Sequence, residues 1–207
     1  MQKLATSEYE LHDILKQRWS PRAFSNDAIR PDILWSVLEA ARWSPSGGNQ
    51  QPWRFIVTQK GEEAYENLLG ILTGNNLKWA GQAPVLILTV AKLVSDSGRP
   101  NRHAYYDLGQ AVAHLTVQAG VHGVYVHQMG GYDQDKAREL FDVPEGFDTV
   151  TVLALGYGGD VTSLPEDLQE RELLPRVRKP FAEFVYADKF GTPLQLDVTA
   201  PDSTGIR

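Results

Sequence analysis

The chain has 207 residues, of which 42% are apolar and 22% charged, and its net charge at pH 7 is -6. This composition is typical of one soluble globular domain with a substantial core. The acidic balance argues against nucleic-acid binding, which requires a basic face. Cysteine is absent, which excludes disulfides and thiolate chemistry and is consistent with a cytoplasmic protein. No apolar run reaches the length of a membrane span or signal peptide, so we expect no membrane partner.

Two helices are predicted in the first quarter of the chain. Ser7 and Glu10 fit a capping box for an amphipathic helix. That helix should end near Trp19, because Pro21 disfavours helical backbone at the residue before it. Pro31 suits the first turn of the second helix.

The stretch between these helices carries two arginines and a serine. In an extended backbone, Arg18, Ser20 and Arg22 point the same way and form one row of hydrogen-bond donors. The alternative is that they are two solvated arginines at a helix end, where cations are also favourable. A second basic cluster, Arg176, Arg178 and Lys179, lies late in the chain.

The loop from Ser44 to Trp53 is the most unusual segment. Its sequence is SPSGGNQQPW. The two prolines fix φ, and the two adjacent glycines allow close approach to the main chain. Ser46 and Asn49 can hydrogen-bond a ligand or their own backbone. The alternative is an ordinary turn between a helix and a strand.

The remaining elements alternate between helical and strand patterns. The aromatic side chains Trp43, Trp79, Tyr106 and Tyr157 could line a pocket, but their large area favours the core. A continuous apolar run at Pro84–Ala91 predicts a central strand covered on both faces. The other predicted strands are Arg54–Thr58, Gly123–Val126 and Thr149–Gly156. The other predicted helices are Gly61–Leu72, His103–Gly120, one capped by Asp133 and a short one from Pro165.

Two early motifs together resemble the flavin-binding signature of the FMN-dependent nitroreductase family. They are Arg18-x-Ser20-x-Arg22 and Ala40-Ala41-Arg42-x-x-Pro45-Ser46-Gly47-x-Asn49-x-Gln51-Pro52-Trp53. Two later stretches fall where this family has further flavin contacts, namely His127–Tyr132 and Arg176–Pro180.

The resemblance implies an α+β fold in which helices flank a central, mostly antiparallel sheet, in an intertwined homodimer. It implies a single FMN-binding domain over residues 1–190 and a C-terminal tail, 191–207, docked on the partner subunit. The helix His103–Gly120 would lie in the dimer interface, where Gly109 and Ala113 allow close approach. NADH or NADPH would serve as co-substrate, and the sequence does not choose between them.

The resemblance also implies roles for individual residues. Arg18, Ser20 and Arg178 would hold the FMN phosphate, and Arg22 would lie at the pyrimidine edge of the flavin. Gly130 and Gly131 would offer backbone N–H groups to its N5 and O4; the family often has a larger or acidic residue at Gly130, so this flavin face would be more open. The implied cofactor-binding set is Arg18, Trp19, Ser20, Arg22, Pro45, Ser46, Gly47, Asn49, Met129, Gly130, Gly131 and Arg178, with Pro45 to Asn49 coming from the partner subunit.

The implied activity is hydride transfer from NAD(P)H through the flavin to an acceptor such as a nitroaromatic or quinone. No side-chain acid or base is required for that step, so no catalytic residue is assigned. The histidines lack metal-ligand spacing, and no metal site is predicted. Two alternatives stay open: a flavin-dependent oxidase, dehydrogenase or reductive dehalogenase acting on one metabolite, and a flavin-binding storage or sensing protein.

Overall fold

The computed structural model describes residues 3–196. That part contains an α+β arrangement of six helices and four strands, joined by short 3₁₀ turns. In chain order they are α1 (Asp13–Gln17), α2 (Pro31–Arg42), β1 (Trp53–Gln59), α3 (Glu63–Gly70), β2 (Val85–Lys92), α4 (Ala104–Val121), β3 (Tyr125–Met129), α5 (Gln134–Leu140), β4 (Phe147–Gly156) and α6 (Glu166–Leu173).

The four strands form one sheet in the order β1-β2-β4-β3, and every neighbouring pair is antiparallel. The predicted central strand is confirmed, since β2 pairs on both sides and all but its last residue are buried. Strand β3 lies at the edge of the sheet. The expected helix-flanked antiparallel sheet is therefore confirmed.

Two hydrophobic clusters cover the two faces of the sheet. Alternate side chains of β2 enter different clusters, because successive residues of a strand point to opposite faces. Leu86 and Leu88 join Tyr65 and Leu68 of α3 in one cluster. Ile87 joins residues of α2 and α4 in the other cluster.

Two sequence expectations about local structure are wrong. Helix α1 begins at Asp13 rather than after Ser7, because the His12 side chain caps it by accepting a hydrogen bond from the Ile14 N–H at 3.3 Å. Trp79 is core, as expected, but Trp43 and Tyr106 are 74% and 70% exposed. By contrast, Asp133 caps α5 as predicted.

The chain divides into two compact units between Pro175 and Arg176. The second unit contains a 3₁₀ turn at Phe181–Glu183 and a bridge between Tyr186 and Pro193. The predicted boundary at residue 190 stays a prediction, and most of the predicted tail, 191–207, lies outside the described residues. Among residues 3–196, no helix has the length and apolarity needed to cross a bilayer.

Candidate functional site

The segment after α1 leaves the helix in extended backbone at Arg18. Burial alternates along it, so one set of side chains faces the core and the other reaches the surface. The buried positions are Trp19, Pro21 and Ala23, and the partly exposed positions are Arg18, Ser20 and Arg22. The structure therefore places the three predicted donors on one side of this segment.

A carboxylate that the sequence analysis missed fixes the end of this row. The Glu172 side chain is fully buried, and its Oε1 accepts hydrogen bonds from the backbone N–H of Arg22 at 2.7 Å and of Ala23 at 3.3 Å. Its Oε2 accepts a hydrogen bond from Arg22 Nη1 at 3.2 Å. Glu172 follows buried Leu168 by one helical turn, and that spacing was the available signal of an inward-facing carboxylate.

Strand β3 runs beside the same segment and in the same direction. The ring of Tyr125 meets Trp19 edge-on at 6.1 Å, and His127 Nδ1 lies 2.8 Å from the carbonyl oxygen of Pro21. The His127 ring also packs on Trp79 at 4.4 Å. Burial lowers the pKa of His127 below its usual value, although the hydrogen bond to Pro21 opposes that shift. A neutral imidazole therefore joins the two segments.

The turn that follows β3 holds the three predicted residues Met129, Gly130 and Gly131. Met129 is buried in the core. A Cβ at Gly130 would meet no atom within 4 Å, whereas one at Gly131 would lie 3.1 Å from Asn76 Nδ2. Asn76 Nδ2 and the Thr73 N–H both donate to the Gly131 carbonyl oxygen. Packing inside the chain thus favours a small residue at 131 and leaves open space beside 130.

The Ser44–Trp53 loop is built on left-handed backbone. Gly48, Asn49 and Gln51 have φ of 58°, 55° and 44°, a region that non-glycine residues adopt rarely and that clusters at functional sites. Ser46 Oγ accepts from the Gln51 N–H at 3.0 Å, and Asn49 Oδ1 accepts from Gln51 Nε2 at 3.2 Å.

A buried aspartate anchors this loop to the start of α4. Asp107 is 2% exposed, and its Oδ2 accepts a hydrogen bond from the Gly47 N–H at 3.1 Å. A shallow cleft of about 340 Å³ lies between them, lined by Pro45, Ser46, Gly47, His103, Tyr106, Asp107 and Gln110. Sequence reasoning also missed Asp107, whose place in an otherwise apolar stripe of α4 was the available signal.

The two halves of the predicted site lie at opposite ends of α4 within one chain. The loop contacts Asp107, whereas α1 and Arg18 border a cleft beside Thr116 and Gly120. Gly120 lies thirteen positions after Asp107, so the contacts are up to about 20 Å apart along the helix axis. One chain brings the Arg18–Arg22 segment beside β3 but does not bring the Pro45–Asn49 loop to them.

Arg178, the last predicted residue, belongs to the second unit. Its Nη1 donates to the carbonyl oxygen of Val177 at 2.7 Å. The neighbouring Lys179 pairs with Glu183 at 3.1 Å, so its head group interacts within its own unit.

The Arg18–Arg22 segment also offers a donor that the described protein leaves unused. The indole Nε1 of Trp19 is buried and has no hydrogen-bond partner among the described residues. Trp19 and Arg18 line a cleft of about 170 Å³ together with Gln17 and Tyr125. An orphaned N–H beside a guanidinium is a donor pair that fits an oxygen-rich anionic ligand.

Comparisons with known proteins agree with this architecture. The profile of the Nitroreductase family matches residues 15–75. A solved structure of an oxidoreductase containing FMN is 36% identical, covers 90% of this chain and 96% of its own, and superposes with a TM-score of 0.85.

Two relatives extend the similarity. An "Uncharacterized 15.4 kDa protein in ask 5'region" of Mycolicibacterium smegmatis is 34% identical over 149 residues, covering 68% of this chain and 99% of the relative. The "Putative NADH dehydrogenase/NAD(P)H nitroreductase" of Archaeoglobus fulgidus is 28% identical over 147 residues, covering 69% and 82%. The chain therefore belongs to the nitroreductase family, as its two motifs indicated.

Proposed function

We propose that the chain is an FMN-dependent oxidoreductase that takes hydride from NADH or NADPH and delivers it to a small-molecule acceptor such as a nitroaromatic or quinone. The observation that carries this proposal is the row of donors at Arg18, Ser20 and Arg22, held beside β3 and its open Gly130 turn in a nitroreductase-family fold. FMN supplies the redox chemistry when bound, because its ring accepts and releases hydride.

The donor set suits the two chemically different ends of FMN. The phosphate carries about -1.5 to -2 charges at neutral pH, and Arg18 with Ser20 would bind it, since guanidinium groups match phosphate geometry. Arg178 is proposed for the same phosphate from its sequence motif alone. Arg22 would lie at the pyrimidine edge, where negative charge collects on reduction. Gly130 and Gly131 would place backbone N–H groups near the reacting edge of the ring.

The separation along α4 supports a site shared by two chains. Pro45, Ser46, Gly47 and Asn49 would complete the flavin site of a partner, because they lie about 20 Å from the Arg18 end of their own chain. The residues Gly109 and Ala113 are exposed on α4, and a Cβ at Gly109 would meet no atom within 4 Å. Antiparallel packing of two α4 helices through this small-residue face would bring each loop to the other chain's donor row. We therefore propose a homodimer.

No side chain is proposed as a catalytic acid or base. Hydride transfer requires donor and acceptor carbons or nitrogens about 3–3.5 Å apart in good alignment, so the work of this chain is to bind, orient and leave one ring face open. The open space at Gly130 suits a site that admits the nicotinamide and the acceptor in turn. We therefore expect ping-pong kinetics, in which the two substrates react with the flavin alternately. We also propose that the protein is cytoplasmic.

The test begins with the purified protein. We expect FMN in the supernatant after denaturation, identified on a column against FMN and FAD standards, and a sedimentation mass about twice that of the 23.0 kDa chain. Steady-state oxidation of NADH and NADPH is then measured with a nitroaromatic, a quinone and a halogenated phenol. Bound FMN without turnover of any acceptor would favour a storage or sensing protein, and the absence of FMN affinity would overturn the proposal.

A further inference from the structure

We infer that Glu172 is a positioning residue that fixes Arg22 and offsets its charge. Glu172 thereby limits how far the Arg22 guanidinium raises the reduction potential of the bound flavin. This inference rests on the proposed function, because it concerns the effect of the Arg22 guanidinium on bound FMN. It assigns a role to a residue of α6 that lies 150 positions away from its partner in the sequence.

The side-chain contacts of Glu172 all converge on one point of the donor row. Its carboxylate accepts three hydrogen bonds, from the N–H of Arg22, the N–H of Ala23 and the Nη1 of Arg22, while its backbone carbonyl oxygen accepts one from Lys3 Nζ. Backbone bonds hold the chain just beyond this point: Ser25 N–H donates to the Tyr157 carbonyl and Gly159 N–H to the Ala23 carbonyl. The backbone that carries Arg22 is thus fixed on two sides, and its guanidinium is fixed by the carboxylate.

The burial of the pair determines its electrostatic effect. The Glu172 side chain is 0% exposed, while that of Arg22 is 22% exposed. An isolated buried charge is costly, and a paired one is tolerated because its partner compensates it. The guanidinium therefore presents a dipole with its positive end toward solvent and not an uncompensated charge. Such a pair stabilises the extra negative charge of reduced FMN less strongly than an unpaired arginine would.

The substitution Glu172→Gln removes the negative charge and keeps an oxygen that can accept the Arg22 and Ala23 N–H groups. Arg22 then acts as an uncompensated cation. We expect reduced FMN to bind about tenfold more tightly relative to oxidised FMN, which raises the midpoint potential by about 30 mV for a two-electron couple. Photoreduction against a reference dye, with each variant saturated with FMN, measures this change.

Glu170→Gln is the matched control, because Glu170 lies on the same helix, carries the same charge and is exposed. We expect its potential to equal that of the wild type. An unchanged or lowered potential in Glu172→Gln would overturn the inference, and so would an equal loss of affinity for both redox states, which is the signature of a purely structural role. Failure of the wild type to bind FMN would instead overturn the proposed function.

A double substitution keeps the test decisive if Glu172→Gln does not fold. Arg22→Gln alone should lower the potential, because it leaves the carboxylate without its cation. Arg22→Gln combined with Glu172→Gln removes both charges and should bring the potential back most of the way toward the wild-type value. A double variant that stays as low as Arg22→Gln would show that Glu172 does not act through its charge on Arg22.

Discussion

The two predicted flavin-binding regions at opposite ends of α4 are anchored in the same way but differ in charge. Each has its main chain tied down by one buried carboxylate, Glu172 for the segment Arg18–Arg22 and Asp107 for the loop Ser44–Trp53. The segment contributes its own cations, and Glu172 pairs with one of them. The loop has no charged residue between Ser44 and Trp53. Its shape depends on left-handed backbone at Gly48, Asn49 and Gln51.

This difference separates two kinds of contribution to one site. The segment can influence both the affinity for FMN and the energy of its reduced form, because its groups are charged. The loop can influence affinity and assembly through shape and backbone donors, but it has no charge with which to shift a potential. Substitutions in the two regions should therefore give different signatures.

Arg22→Ala should have the largest effect. It leaves the buried Glu172 carboxylate without its cation, and we expect a loss of about 3 kcal/mol in the free energy of unfolding, the lower end for a broken buried pair because Arg22 reaches solvent. Urea unfolding of the FMN-free protein at pH 7 measures this loss. Arg30→Ala is the control, because Arg30 pairs with Asp32 at an exposed position and its loss should cost far less than the loss of Arg22. Equal losses would contradict the inward pairing of Arg22.

Arg178→Ala should come second and should sharpen the distinction between phosphate and ring. Removal of a charge-assisted bond to phosphate is expected to weaken FMN binding by about 1.5–3 kcal/mol. The potential of the remaining bound FMN should stay that of the wild type, since the phosphate does not change charge on reduction. Fluorescence titration and photoreduction give the two quantities. A shifted potential with unchanged affinity would place Arg178 at the ring and not at the phosphate.

Asp107→Ala tests the loop. The substitution leaves the Gly47 N–H without its acceptor, which should lower the free energy of unfolding by about 1–3 kcal/mol, with no change in potential at saturating FMN. Asp107→Asn retains a side-chain oxygen and should recover most of the stability. Recovery by Asn would assign the effect to the hydrogen bond; a potential shift in either variant would break the proposed division between the two regions.

His127 should give the smallest effect, seen only in acid. Its pKa is lowered in the folded protein from an ordinary value of about 6.5, so below that pH the unfolded chain binds a proton that the folded chain does not. Stability should therefore fall as pH falls below about 6.5, with a slope from this group of at most about 1.4 kcal/mol per pH unit. His127→Gln should show a shallower decline between pH 7 and 5 in thermal unfolding. An identical slope would exclude His127 as the cause.

Local signals in the sequence predicted much of the fold. Pro31 marks the start of α2, Asp133 caps α5, and the apolar run of β2 indicates a strand buried on both faces. These features succeed because each depends on neighbours a few residues away. The predicted start of α1 was wrong because the helix is capped by His12, a weaker capping residue, and not by Ser7.

The anchors of the site depend instead on distant contacts. Glu172 reaches across 150 positions to Arg22, and Asp107 across 60 to Gly47. Each looked like an ordinary polar residue of a helix, because sequence spacing does not show which element lies opposite. The exposure of Trp43 and Tyr106 was missed for the same reason, since area alone favoured burial.

The length of α4 limits where the chain can tolerate insertions. One residue added between Asp107 and Gly120 would turn one end of the helix by about 100° and move it by about 1.5 Å relative to the other. The two anchored regions would then lose their common orientation. The exposed connection at residues 96–100, between β2 and α4, carries no such constraint. Natural variation in chain length among close relatives should accordingly concentrate there and spare the helix.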